Sequence, residues 1–463
     1  MTSPSHEHDH HRHDNHNCRP PPGVVYLTIG QDLFSVDQYL TSMYNASLHE
    51  YLVTMNNNNN NNSNNNNTTT TRVLPRRSDV WPAAFMVYSD LKTLAGLATP
   101  TDYGSGVEYA NGLAELTTSV PVATTTTTTK IDRTTHKYIN KAGLQIGLWL
   151  SGSDGCRSIV NGTCTHQVNR FVDYLAGAPF YRIFVRLGYE FDNPSFGYMP
   201  DPIIYRRAFR MVVASCRQHP SCYTKVQWVW HSWAAGVQGK DTTLDDFYPG
   251  DMYVDWIGVS IFQQVYHRNT NTQSHGQDSI WSGGSYETLR DVLDYAAARD
   301  KPVLIAESTP FGGIDERLTD AWGQWFQPVL DLIDEYHHLI AMWSYIDCNW
   351  NAQPMWNGVG FGDARIVKNA TILQLWRSAV LTRTVGYGSL ETYCGEKDDY
   401  ITMNVPQSTP TTAAFVSIAT TTHWSMQLGM LSGFSFVMMI VLFAVLSWGM
   451  RTYRRRRQTY STI

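Results

Sequence analysis

Eight short apolar runs, each followed by a stretch of helical character, set the limits on how this 463-residue chain can fold. The runs lie at 24–30, 83–89, 144–152, 182–190, 226–233, 248–262, 301–307 and 339–346, with helical segments between them and a last one at 366–381. Strands buried on both faces read as near-continuous apolar runs, and parallel strands need a crossover of about a dozen residues, usually a helix. Eight such units predict a (β/α)8 TIM barrel with its functional residues at the carboxyl ends of the strands. A doubly wound open sheet is the competing architecture, but it requires a glycine-rich dinucleotide turn after an early strand, and the sequence has none.

Residues 24–400 are therefore expected to form the barrel domain, with surface-loop insertions at the asparagine and threonine tracts 56–71 and 123–130. Such polar tracts cannot bury anything, and lengthening a loop costs little. Residues 1–23 carry six histidines and no apolar run, so they read as a disordered tail without a signal peptide. Residues 401–425 are rich in Ser, Thr and Pro and predict an extended stalk. The uncharged stretch Leu428–Met450, within 426–450, is long enough for the roughly 20 residues of a transmembrane helix. Arg451 and Arg454–Arg457 follow it, which predicts a cytoplasmic tail at 451–463 and a barrel facing the outside or a lumen.

Sequons at Asn45, Asn161 and Asn369 agree with that placement, and a missing first exon would reconcile it with the tail at 1–23. So do seven cysteines, for which short-loop disulfides Cys156–Cys164 and Cys216–Cys222 are expected, with Cys348–Cys394 as a third pair and Cys18 left over. A formal net charge of −5 gives no footprint for nucleic acid, and no spacing calls for a cofactor or metal. A monomer is expected.

The fourth run ends Arg182-Ile-Phe-Val-Arg-Leu-Gly-Tyr-Glu190, and the seventh ends Val303-Leu-Ile-Ala-Glu307. Two carboxyl groups facing each other across a barrel mouth suit glycosidic bond cleavage, in which one protonates the leaving oxygen and the other attacks carbon or activates water. Strand alternation puts Arg186, Gly188 and Glu190 on one face, and Val303, Ile305 and Glu307 inward. Arg186 would keep a neighbouring carboxylate ionised, so Glu307 is assigned as nucleophile and Glu190, among Phe191, Phe196 and Tyr198, as proton donor. Trp230 and His231 end the fifth run and are candidates for substrate binding. Trp149, Trp233 and Phe311 are further candidates, with core packing the alternative for each. The loop Asp347–Trp356, with Trp350 and Trp356, and the following Gly360–Asp363 suit a substrate-binding wall or, in the alternative, a structural calcium site.

The segments RLGYEF, FYPGDMYVDWIGVSIF, KPVLIAESTPFGG and MWSYID resemble strands four, six, seven and eight of clan A glycoside hydrolases, closest to family 26, the family of the β-mannanases. The resemblance implies Glu190 as acid/base, Glu307 as nucleophile and Trp343 as the floor of the cleaved sugar's subsite. Tyr189 stands where the family commonly has His. Phe262 stands where a tyrosine hydrogen-bonds the nucleophile, leaving Tyr266 or Tyr345 to supply that hydroxyl. These departures mark a divergent branch, a retaining endo-β-glycanase for β-mannan or another cell-wall polysaccharide. The alternative is a non-catalytic, membrane-anchored carbohydrate-binding barrel.

Overall fold

The computed structural model describes residues 18–61, 80–102, 109–118, 141–234, 236–237, 242–262, 285–314, 321–358 and 360–394. Eight parallel strands, β1 (Val25–Gly30), β2 (Ala84–Asp90), β3 (Gly143–Trp149), β4 (Ile183–Leu187), β5 (Val226–Ser232), β6 (Trp256–Ile261), β7 (Val303–Ser308) and β8 (Ile340–Ile346), follow one another in sequence order around the sheet. β1 pairs with both β2 and β8, which closes the sheet into a barrel. A two-residue strand, β9 (Thr384–Val385), adds to β1. Apart from Trp149, every residue of the eight barrel strands is buried, as the apolar runs require.

The helices close the outside. Tyr205, Phe209, Val212 and Val213 of Pro202–Arg217, and Leu289, Val292 and Leu293 of Tyr286–Ala297, recur at helical spacing and pack on the outward strand residues. The first helix, Leu33–Asn61, is anchored by Val36, Tyr39, Leu40 and Met43 and continues six residues into the tract expected to be a loop. Each residue added to an existing helix gains a hydrogen bond without a new nucleus.

Inside the barrel, Tyr26, Phe184, Trp256 and Met342 plug the amino-terminal end. Above them Gln145 Nε2 donates to the Ala306 carbonyl at 2.7 Å, and Ser344 Oγ donates to Gln145 Oε1 at 2.6 Å. The next level, at the carboxyl-end face, holds Arg186, His231, Ser260, Glu190 and Glu307. Such an interior is a packed core with one reactive layer.

Cys216–Cys222 forms as expected, whereas Cys394 pairs with Cys18, and Cys156, Cys164 and Cys348 are free. Cys348 sits with the aromatics at the barrel mouth and Cys394 with the residues of the opposite end, so no bond can join them. Cys156 points into the core from helix Gly152–Val160, while Cys164 begins the following helix. Asn161 is exposed, but Asn369 is buried and its side chain accepts hydrogen bonds from the amides of Thr371 and Ile372 as a helix cap. Among the described residues no helix is long and apolar enough to cross a membrane. Of the tail predicted at 1–23, residues 18–23 are ordered and Cys18 is buried, while 1–17, most of the tract 56–71, the tract 123–130, Tyr266, the stalk, the span at 426–450 and the basic end lie outside the described residues.

Candidate active site

β4 stops at Leu187, so alternation does not carry Glu190 into the mouth. Gly188 and Glu190 instead adopt φ of +58° and +53°, a left-handed turn that swings the carboxyl group over the strand ends. A residue other than glycine held in this region is strained, and such strain concentrates at functional sites. Asp192, within the turn, ties it to β5: its carboxylate accepts from Ser232 Oγ at 2.7 Å and from the Trp233 amide at 2.5 Å. Gly188 also has no room for a side chain, because a Cβ there would lie 2.8 Å from Tyr205.

Glu307 arrives by a different route. The residues of β7 that point inward are Leu304 and Ala306, and Val303 and Ile305 face the helices, opposite to the sequence expectation. The β6–β7 register then slips, with Val259 opposite Ile305 but Ser260 opposite Glu307, so Ala306 is the extra residue of a bulge. The bulge lets Ala306 and Glu307 both serve the interior.

Both glutamates are buried, and oxygens of Glu190 and Glu307 and a ring nitrogen of His231 lie within 4.8 Å of one another. Arg186, fully buried on β4, donates through Nη1 to Glu307 Oε1 and lies over the rings of Tyr88 and Tyr189 at 4.8 and 5.4 Å. Gly147 makes room for it, since a Cβ there would meet Arg186 Nη2 and Tyr88 at 2.8 Å. The Tyr88 hydroxyl donates to Met86 Sδ at 3.7 Å, beside the Arg186–Glu307 pair. Glu190 has other partners: Ser260 Oγ donates to Oε1 at 2.7 Å and Asn193 Nδ2 to Oε2 at 3.1 Å. His231 Nε2 is 2.9 Å from the same Ser260 oxygen.

These partners separate the two acids. Burial, and then the negative charge of Glu307, push Glu190 well above the usual carboxylate range, more than Ser260, Asn193 and Arg186 pull it back. Burial also raises Glu307, but the bonded Arg186 guanidinium and the Tyr88 hydroxyl oppose it, so Glu307 is the member of the pair that carries the charge. Burial and then the Arg186 charge lower His231 well below its ordinary pKa, leaving a neutral imidazole. A cation among these three side chains would have to displace Arg186 from Glu307 and compete with Ser260 for the imidazole, so their wiring is that of an acid–base site.

The aromatic residues divide by strand phase. Trp230 is fully buried on the outer side of β5, stacked on Phe191 at 4.4 Å and against Tyr248 and Tyr295, so it cannot touch a sugar. Trp343 likewise faces the helices, donating to Ser308 Oγ at 2.8 Å and packing on Trp376 at 5.4 Å, which removes it as a subsite floor. Alanine at either position is expected to cost about 3–5 kcal/mol of stability in denaturant unfolding while leaving polysaccharide affinity unchanged. Tyr345 is also outward, its hydroxyl bonded to the Ala364 carbonyl at 2.6 Å.

The mouth is lined instead by Tyr88, Tyr189, Phe262 and Trp350, with Trp149, Trp233, Phe311, Trp356 and Phe361 packed against them. Phe262, Phe311 and Phe361 form a stack with centroid separations of 4.8 and 4.2 Å. Trp350 meets Trp356 edge-on at 5.7 Å. Asp363, offered in the sequence to calcium, is held by the Arg365 guanidinium at 2.6 and 2.8 Å.

Sequence reasoning missed Tyr88, Ser260 and Asn193. A signal for the first is present in the sequence, since Tyr88 is the penultimate residue of the second apolar run, where a side chain can reach the barrel mouth.

A closed parallel barrel with a strand-four and a strand-seven glutamate facing each other at its carboxyl-end mouth has the architecture of the clan A glycoside hydrolases. The chain is 23% identical over 323 residues to a β-1,3-xylanase from Vibrio sp., covering 65% of this chain and 60% of that protein. A β-1,3-xylanase from Alcaligenes sp. is 22% identical over 322 residues, covering 65% and 58%. The match thus takes in about three-fifths of each relative's length. No protein-family model matches. Among solved structures, a modular endo-β-1,4-mannanase from Cellulomonas fimi is similar at a TM-score of 0.45 and 14% identity, over 81% of this chain and 74% of that one. The relatives named as β-1,3-xylanases agree with the resemblance to a divergent, family-26-like clan A glycoside hydrolase.

Proposed function

We propose that the protein is a retaining endo-β-glycanase that hydrolyses a β-linked cell-wall polysaccharide, with β-1,3-xylan the first substrate to test. The observation that carries this reading is the facing of Glu190 and Glu307 within 4.8 Å, with Arg186 bonded to only one of them. Retaining enzymes hold their carboxyl groups about 5–5.5 Å apart, too close for an intervening water. The choice of xylan rests on the two β-1,3-xylanases to which the chain is similar.

In the first half-reaction the ionised Glu307 attacks the anomeric carbon as Glu190 gives its proton to the glycosidic oxygen. The carbon–oxygen bond to the leaving chain breaks, and a glycosyl ester forms on Glu307. Glu190, now a carboxylate, takes a proton from water, which attacks the same carbon and releases Glu307. Arg186 holds Glu307 anionic and oriented before attack. Trp350, Trp356 and Phe262 supply the apolar cleft wall, and Tyr189 meets Tyr88 edge-on and stacks on His231.

We further propose that the barrel is held outside the cell or in a lumen by a single span at 426–450, a placement supported by the basic residues that follow and by the exposed Asn161 sequon. Digestion of a panel of β-1,3-xylan, β-1,4-xylan, β-mannan and β-1,3-glucan, with proton NMR of the first products, tests the catalytic reading. The expected outcome is internal cleavage with initial products in the β configuration. Initial α products would overturn retention, and no cleavage of any member, with binding to one, would favour a non-catalytic carbohydrate-binding barrel.

A further inference from the structure

An imidazole, a hydroxyl and a carboxyl group form a line across three neighbouring elements: His231 on β5, Ser260 on β6 and Glu190 in the turn after β4. The separations are 2.9 Å from His231 Nε2 to Ser260 Oγ and 2.7 Å from Ser260 Oγ to Glu190 Oε1. His231 and Ser260 are fully buried, and His231 Nδ1 has no hydrogen-bond partner.

Ser260 has a single hydrogen, and the two neighbours of its oxygen compete for it. A carboxyl oxygen accepts whether or not the group holds its proton, and a neutral imidazole can donate from Nε2. With the carboxyl proton facing the cleft, the Ser260 hydrogen goes to Glu190 and Ser260 accepts from His231. On the other side of the carboxyl group, Asn193 Oδ1 is already taken by the Ser195 amide at 3.0 Å, so its Nδ2 must donate to Oε2.

We propose that His231 is a positioning residue for Glu190: as the Nε2–H tautomer it turns Ser260 into a one-way donor, so that Ser260 and Asn193 each occupy a lone pair of the carboxyl group and the acidic hydrogen is left facing the cleft. The inference rests on the reading of Glu190 as the acid. His231 itself exchanges no proton with substrate. Among the described residues, the charged and titratable groups around Glu190 include Glu307 from β7, Arg186 from β4, His231 from β5, Asp192 and Tyr189 from its own turn and, beyond Glu307, Tyr88 from β2. Burial keeps the imidazole neutral, as the arrangement requires.

The first test is nitrogen-15 NMR of histidine-labelled wild-type protein, which reports tautomers directly and needs no substrate. A resonance assigned to His231 by its loss in His231→Gln should show the neutral Nε2–H form throughout the pH range of the folded protein. An Nδ1–H tautomer, or an imidazolium, would overturn the proposal.

The second test follows the basic limb of kcat/KM on β-1,3-xylan, which reports the acid of the free enzyme. Ser260→Ala removes a hydrogen bond that favours ionised Glu190, so the limb should move up by about one pH unit. His231→Gln, whose amide can still donate to Ser260, should keep the wild-type limb, whereas His231→Leu should displace it. A limb unmoved in Ser260→Ala, or the same limb in both His231 variants, would overturn the relay. Glu190→Gln separates the two readings: if it keeps a wild-type basic limb, Glu190 is not the acid, whatever tautomer the NMR finds.

Discussion

Glu307→Ala is expected to lower hydrolysis of the susceptible polysaccharide by roughly 10⁴-fold or more, the scale at which removing a covalent nucleophile disables an enzyme. Polysaccharide affinity should persist, because the aromatic mouth and Glu190 remain. Reducing-sugar release measures the first and titration calorimetry the second. Glu307 is one of two buried carboxyl groups facing each other at the site, but only it receives the Arg186 guanidinium. A carboxylate so held has its charge ready before substrate arrives, at the cost of a buried ion pair. The cavity left by alanine also gives azide access to the anomeric carbon. An α-glycosyl azide from an activated aryl β-glycoside would identify the missing nucleophile, and a variant that still hydrolyses at the wild-type rate would remove Glu307 from the mechanism.

Arg186→Met should produce the second large effect, on stability and on pH dependence together. Arg186 is fully buried and its charge is met by Glu307, so removing it strands a carboxylate in a medium that penalises charge. Breaking a buried pair from one side costs about 3–5 kcal/mol. Glu307 already has a pKa raised by burial, and without Arg186 it rises further. The folded state then holds the proton more tightly than the unfolded one, so the loss of stability relative to wild type should be smallest at acidic pH. It should grow as pH rises through the interval between the already raised wild-type value and the still higher value in the variant. Since the nucleophile must be ionised, the acidic limb of kcat/KM should move upward in the same variant. Urea unfolding at several pH values and a pH–rate profile measure the two consequences. A uniform loss of stability, with the acidic limb in place, would mean that Arg186 supports the barrel without setting the charge on Glu307.

The barrel was legible because eight buried strands leave an unmistakable rhythm of apolar runs and helices. The positions of Glu190 and Glu307 at the ends of two of those runs were legible too. The phase of the side chains was not. Trp230 and His231 are adjacent at the end of one strand, and the sequence offers both to the cleft. Only the pairing of the strands turns His231 inward and sends Trp230 into the aromatic packing behind β5. Trp343 misleads for the same reason, since a strand buried on both faces has no polar side to mark which way it turns. The cysteines show a related limit: proximity in sequence found Cys216–Cys222, but Cys18 and Cys394 meet across 376 positions because the start of β1 and the helix Ser389–Tyr393 pack at the same end of the barrel.

The sequence by itself determined that this chain alternates strand and helix eight times and carries a carboxyl group at the ends of the fourth and seventh strands. Tertiary structure alone decided that those carboxyl groups face one another. Glu190 reaches the mouth through a left-handed turn and Glu307 through a one-residue bulge at Ala306, and both depend on how the neighbouring strands pair. Hydrophobic pattern encodes how deeply a residue is buried, whereas the direction in which a buried side chain points is set by register, which becomes defined only when the strands are assembled.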